Sequence, residues 1–154
     1  MTRFNEFLTN HFCCDRRSTV SLKENGKRYT ANNILKKTVA QYHIDTSSTP
    51  PKKCDYALYI FDNENPLNDD NRVIFVELKG SDILQAIKQI SQSINDFVVL
   101  PNIKCRALDA RIVASRSPNP RYYETAHIKL NMRLRSFGGS NLKIGTNGNF
   151  EENI

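Results

Sequence analysis

Residues 73–80, Val-Ile-Phe-Val-Glu-Leu-Lys-Gly, constrain the fold more than any other stretch of the chain. Val73, Ile74, Phe75 and Val76 run without a polar break, which is the pattern of a strand covered on both faces. The strand then closes on Glu77, Leu78 and Lys79, and Gly80 stops it. Side chains alternate across a strand, so Glu77 and Lys79 point the way Val73 and Phe75 do. A charged pair at the mouth of an apolar strand costs desolvation energy unless it is paired or holds a cation. As a bare string, Glu-x-Lys equally describes a salt-bridged strand end.

The chain around it has 154 residues, enough for one domain with a real core. We therefore read residues 1–154 as a single domain, with a core over about 18–115 and a C-terminal extension over 121–150. The net charge of +6 favours a polyanionic partner. No apolar run is long enough for a membrane span, and Met1–Glu6 lacks the apolar centre of a signal peptide, so a cytoplasmic protein without membrane contact is expected. Cys13, Cys14, Cys54 and Cys105 form no C-x-x-C pair and read as reduced, packed thiols.

In chain order, residues 1–16 suggest a helical or irregular lead-in, and 18–22 a short strand before the turn at Glu24-Asn25-Gly26-Lys27. Leu35, Val39 and Tyr42 share a helical face, so a helix is expected over 30–42. After a loop with Pro50 and Pro51, residues 55–61 form a strand; an acidic connection follows, then the strand 72–79. Ile83, Ala86, Ile87, Ile90, Ile94 and Phe97 form the apolar stripe of a helix over 82–96, capped by Ser81 or Asp82. A strand over 107–114 comes next. Residues 124–137 alternate like a strand, yet Gly138-Gly139 is a helix stop, and helix is the reading adopted. A last strand over 141–144 and a polar tail over 145–154 complete the pattern.

Asp55 opens one strand and Glu77 closes the next. If the two strands are antiparallel neighbours, those ends lie side by side. Converging carboxylates repel unless a divalent cation lies between them, and hard oxygen ligands suit Mg2+ or Mn2+.

Asp55, a loop, then Glu77-Leu78-Lys79-Gly80 and an amphipathic helix together resemble the PD-(D/E)xK nuclease superfamily, of restriction endonucleases and Holliday-junction resolvases. The resemblance covers about residues 30–115. It implies an α/β fold with a restriction-endonuclease-like core, a central mixed β-sheet flanked by helices in α-β-β-α-β order. It also implies that Asp55, Glu77 and the backbone carbonyl of Leu78 hold the metal, that Lys79 serves the attacking water, and that Gln85 and Gln89 on the following helix line the site. The chain departs from the pattern at Cys54, where proline is usual, and in having no glutamate within 30–42; Glu24 is a remote substitute.

The function expected is a metal-dependent phosphodiester hydrolase acting on DNA, with RNA as a further substrate class. Lys52, Lys53, Arg116, Arg121, Arg133 and Arg135 are the expected nucleic-acid contacts, and Tyr122 and Tyr123 could stack on bases or pack on the sheet edge. A domain this small often works as a homodimer or with a partner protein. The alternative is a non-catalytic nucleic-acid-binding or assembly module of the same fold.

Overall fold

The computed structural model describes residues 12–44, 52–61, 71–78, 81–116 and 119–154. Nine strands and two helices run in the order β1 Phe12–Asp15, β2 Thr19–Glu24, β3 Lys27–Asn32, β4 Thr38–His43, β5 Tyr56–Phe61, β6 Asn71–Leu78, α1 Ile83–Ile94, β7 Ala107–Val113, α2 Glu124–Ser136, β8 Lys143–Gly145 and β9 Asn149–Asn153 among the described residues. They build two mixed sheets. The larger has the order β1-β4-β5-β6-β7-β8, the smaller β2-β3-β9. In the larger sheet β1, β4, β5 and β6 are antiparallel neighbours, while β6, β7 and β8 run parallel.

Strand alternation divides the core in two. Tyr59, Val73 and Phe75 face the helices and pack with Ile83, Ile87, Ile90, Leu130 and Leu134. Leu58, Ile60, Ile74 and Val76 face the small sheet and pack with Val20, Leu22, Tyr29 and Ala31. The large sheet is thus the middle of three layers, and β6 is covered on both sides. Val73, Ile74, Phe75 and Val76 are all fully buried. At about 1.5–3 kcal/mol per fully buried apolar side chain, those four supply roughly 6–12 kcal/mol. That is enough to offset the several kcal/mol of burying an ion at the end of the same strand.

α1 forms where the apolar stripe predicts it. The Asp82 side chain accepts the Gln85 N–H at 3.0 Å and caps the helix. Its end opens into a π-helical turn, Asn95–Val99. α2 is a helix, as read from the Gly138-Gly139 stop: Gly138 has φ +79°, and the Gly139 N–H reaches back to the Leu134 carbonyl at 2.9 Å. A Cβ on Gly139 would stand 1.8 Å from the Leu108 carbonyl oxygen, so only glycine lets α2 end against β7.

Three expectations fail. Residues 30–42 hold no helix; they contain the end of β3, a turn and β4. Asn33 makes that turn: its buried side chain bonds the Arg17 and Lys37 carbonyls at 3.0 and 2.7 Å and accepts the Lys37 N–H at 2.9 Å. Leu35, expected on a buried helical face, is 71% exposed on the turn. The α-β-β-α-β order therefore lacks its leading helix, and only β5-β6-α1-β7 keeps the expected succession. The tail 145–154 is not loose either. β9 pairs in parallel with β3, and Glu152 reaches the buried Arg111 at 2.7 Å. Finally, residues 12–15 are the edge strand β1, while the rest of the expected lead-in lies outside the described residues. Among the described residues, no helix is long and apolar enough to cross a membrane.

Candidate functional site

β5 and β6 pair antiparallel, with Tyr56 opposite Val76. One step further along the ladder brings Asp55 beside Glu77. Asp55 follows the alternation of Ala57 and Tyr59, and Glu77 that of Val73 and Phe75, so both belong to the helix-facing side of the sheet. Both are buried, Asp55 at 8% exposure and Glu77 at 2%. The two residues interlock. The Asp55 N–H donates to Glu77 Oε2 at 3.0 Å, and the Leu78 N–H donates to Asp55 Oδ2 at 2.8 Å.

α1 sets the position of Asp55. Gln89 donates its amide to the Lys53 carbonyl at 3.0 Å. Ser93 accepts the Cys54 N–H at 2.8 Å and passes its own hydroxyl proton to the Gln89 carbonyl at 3.0 Å. The two residues ahead of Asp55 are thereby pinned to the helix that follows β6. Gln89 acts as this tether; Gln85 lies half-buried in the first turn of α1. Cys54 is fully buried, and its burial, followed by the charges of Glu77 and Asp55, pushes the thiol well above its ordinary pKa. It stays protonated and is no thiolate ligand.

On the opposite face of the same strand end, His43 stacks on Tyr56 with ring centroids 4.6 Å apart. Glu24 Oε2 lies 3.8 Å from His43 Nε2. Burial, then the charges of Glu24 and Asp55, raises the Tyr56 pKa. Glu24, remote in sequence, thus comes within electrostatic reach of the candidate site across the sheet. Sequence reading missed His43 and Tyr56, because the partner that gathers them is the hairpin of β2 and β3.

The donor set fits a hard divalent cation: two buried carboxylates on one face, with the Leu78 backbone held against one of them. A carboxylate offers about four lone-pair directions, so one backbone hydrogen bond occupies a fraction of its capacity. Among the described residues no group of three or more His, Cys, Asp and Glu gathers for a metal. Lys79 follows β6 directly and lies outside the described residues.

The expected nucleic-acid contacts divide. Because β6 and β7 run parallel, with Leu78 opposite Val113, Arg116 and Arg121 follow β7 at the sheet end where Glu77 sits. Both are exposed, as are Tyr122 and Lys52, whereas Tyr123 is buried. Lys53 is half-buried, 3.9 Å from Asp96. Arg133 is taken into the fold between the helices, where it donates to the Ser91 carbonyl at 3.5 Å and to the Asn95 side chain. Arg135 is exposed and donates to the Asn131 carbonyl at 3.3 Å.

The chain matches no known protein family, no curated protein and no solved structure.

Proposed function

We propose that the protein is a metal-dependent nuclease whose centre is the pair Asp55 and Glu77. The observation that carries this reading is the interlocked, same-face burial of two carboxylates at adjacent strand ends, with Asp55 and Leu78 backbone N–H groups fixing one oxygen of each. Preorganised anionic oxygens of this kind suit a divalent cation, and the PD-(D/E)xK resemblance gives Lys79 the place next to them.

In this reading Asp55, Glu77 and the Leu78 carbonyl hold Mg2+ or Mn2+. The cation would supply Lewis acidity toward a phosphodiester and lower the pKa of a water. The residues of the chain do the rest. The Lys79 ammonium orients the attacking water and offsets negative charge that grows on the phosphate oxygens. Gln89 and Ser93 keep the Asp55 backbone from drifting, because the tether they form ends one residue before it. Arg116 and Arg121 contact phosphates at the same end of the sheet, with Tyr122 as a stacking surface.

The competing reading is a module of the same fold that binds nucleic acid or a partner without cutting. It is favoured by the same hydrogen bonds taken as a clasp that closes β5 onto β6. Cleavage of labelled duplex, branched and single-stranded DNA, with Mg2+ and with chelator, separates the two. Metal-dependent products that vanish with Glu77→Gln support the nuclease; binding of the same DNA without products under any metal supports the module.

A further inference from the structure

The fold leaves the outer surface of α2 uncovered. Of its 13 residues only Leu130 and Leu134 are fully buried. Ile128 and Met132, one turn apart, are 52% and 63% exposed. Between α2 and α1 runs an open groove of about 400 Å3. Ile87, Ala126 and Leu130 give it an apolar floor, and Lys88, Lys129 and Arg133 give it three cations. Among the described residues no carboxylate lines it. Asp96, next in sequence to the lining residue Asn95, is taken up by Gln92 at 3.0 Å and by Lys53.

The groove is held open. Arg133 bridges α2 to Ser91 and Asn95 of α1, so the walls are tied at one end. There α1 passes into its π-helical turn, with the Leu100 N–H on the Asn95 carbonyl at 2.9 Å and the Ile103 N–H on the Val98 carbonyl at 3.0 Å. Such turns are rare and recur at functional positions. Val99 and Leu100 are exposed beside it. Of the seven large apolar residues exposed among the described ones, four (Val99, Leu100, Ile128 and Met132) belong to these two helices and the turn that ends α1.

We propose that this groove docks an acidic, amphipathic helical segment of a partner protein. The aliphatic face of that segment seats on Ile87, Ala126 and Leu130, and its carboxylates meet Lys88, Lys129 and Arg133. Charge complementarity selects an acidic partner: the groove presents cations alone. Its size is that of a site that buries side chains rather than a flat contact. A nucleic-acid backbone would use the cations but leave the apolar floor, Ile128 and Met132 without contacts. The surface is separate from Asp55 and Glu77, and the inference stands apart from the nuclease reading.

The test is fluorescence anisotropy on the full chain. The probe is a labelled helical peptide of about five turns carrying a leucine stripe flanked by glutamates. The expected result is saturable binding, weaker by about tenfold or more for the same peptide with lysines in place of glutamates. Lys88→Glu with Lys129→Glu lowers affinity by a similar factor, and Met132→Ser lowers it severalfold. All three side chains are exposed, so the thermal melts of these variants should overlay the parent, and DNA cleavage should be unchanged. Equal binding of the acidic and basic peptides overturns the proposal, as does full affinity in the double variant. Displacement of the peptide by a single-stranded oligonucleotide that itself loses affinity in the double variant also overturns it, and makes the groove a nucleic-acid track.

Discussion

Asp55→Ala and Asp55→Asn separate two effects that a single variant would merge. In the folded chain Asp55 Oδ2 accepts the Leu78 N–H at 2.8 Å, and Asp55 is 8% exposed. Both substitutions remove the negative charge beside Glu77. Only alanine also removes the acceptor, because the asparagine carboxamide oxygen can take the same bond. The difference between the two variants therefore isolates one buried backbone N–H left without a partner, which costs about 1–3 kcal/mol. In a chain of this length each kcal/mol moves the melting temperature by about 2–4 °C. The alanine variant should thus melt roughly 2–12 °C below the asparagine variant. The asparagine variant should melt at or above the parent, since like charges no longer converge in a buried place. Differential scanning calorimetry in chelator, at one pH and protein concentration, gives all three values. Alanine and asparagine variants melting within a degree of each other would refute the clasp. An asparagine variant well below the parent would refute the idea that the two charges oppose each other.

Other consequences follow from single contacts. Gly139→Ala must move β7 or α2, because its Cβ would lie 1.8 Å from the Leu108 carbonyl oxygen, whereas Gly26→Ala meets nothing within 4 Å and strains only a turn at φ +76°; melts should show a much larger loss for the former. Arg111 is 1% exposed and donates to Glu152 at 2.7 Å, so Arg111→Ala should cost about 3–5 kcal/mol and release β9, seen as lost amide protection over 149–153. Burial works to raise the Asp109 pKa, but the Ser140 N–H and the Arg72 guanidinium outweigh it and hold the carboxyl below its ordinary value of 3.8. A depressed folded pKa contributes stability above the unfolded value and loses it as pH falls through the folded one. Asp109→Asn should therefore be less stable than the parent at neutral pH, with the gap closing below about pH 4 in urea melts.

The central strands were legible because their burial is local in sequence. Val73 to Val76 form an unbroken apolar run, and Ile83, Ala86, Ile87 and Ile90 recur at helical spacing, so β6 and α1 follow from periodicity alone. The neighbouring ends of Asp55 and Glu77 follow from strand direction. Residues 30–42 misled because Leu35, Val39 and Tyr42 match a helical spacing while a turn interrupts it. Asn33 spends its side chain on the backbone of Arg17 and Lys37, and Lys36 takes φ +49°. A hydropathy pattern does not register such a side-chain-to-backbone contest. β9, Asn149–Asn153, was illegible for another reason. Its inward residues are Phe150, stacked on Tyr29 at 5.9 Å, and Glu152, bound by Arg111. A strand whose buried face includes a paired carboxylate has no hydrophobic signature. The same blindness hid His43 and Tyr56, which meet Glu24 only once the small sheet is laid on the large one.

Calorimetric titration of Mn2+ into the parent protein, Asp55→Asn and Lys79→Ala tests the central claim most directly. The pair of carboxylates as a cation site predicts saturable binding to the parent and near-complete loss in Asp55→Asn, because an anionic oxygen ligand is gone while the fold stays intact. It predicts binding retained or tightened in Lys79→Ala, where a positive charge beside the cation is removed. No heat of binding in the parent, or equal binding in the parent and Asp55→Asn, would contradict the account.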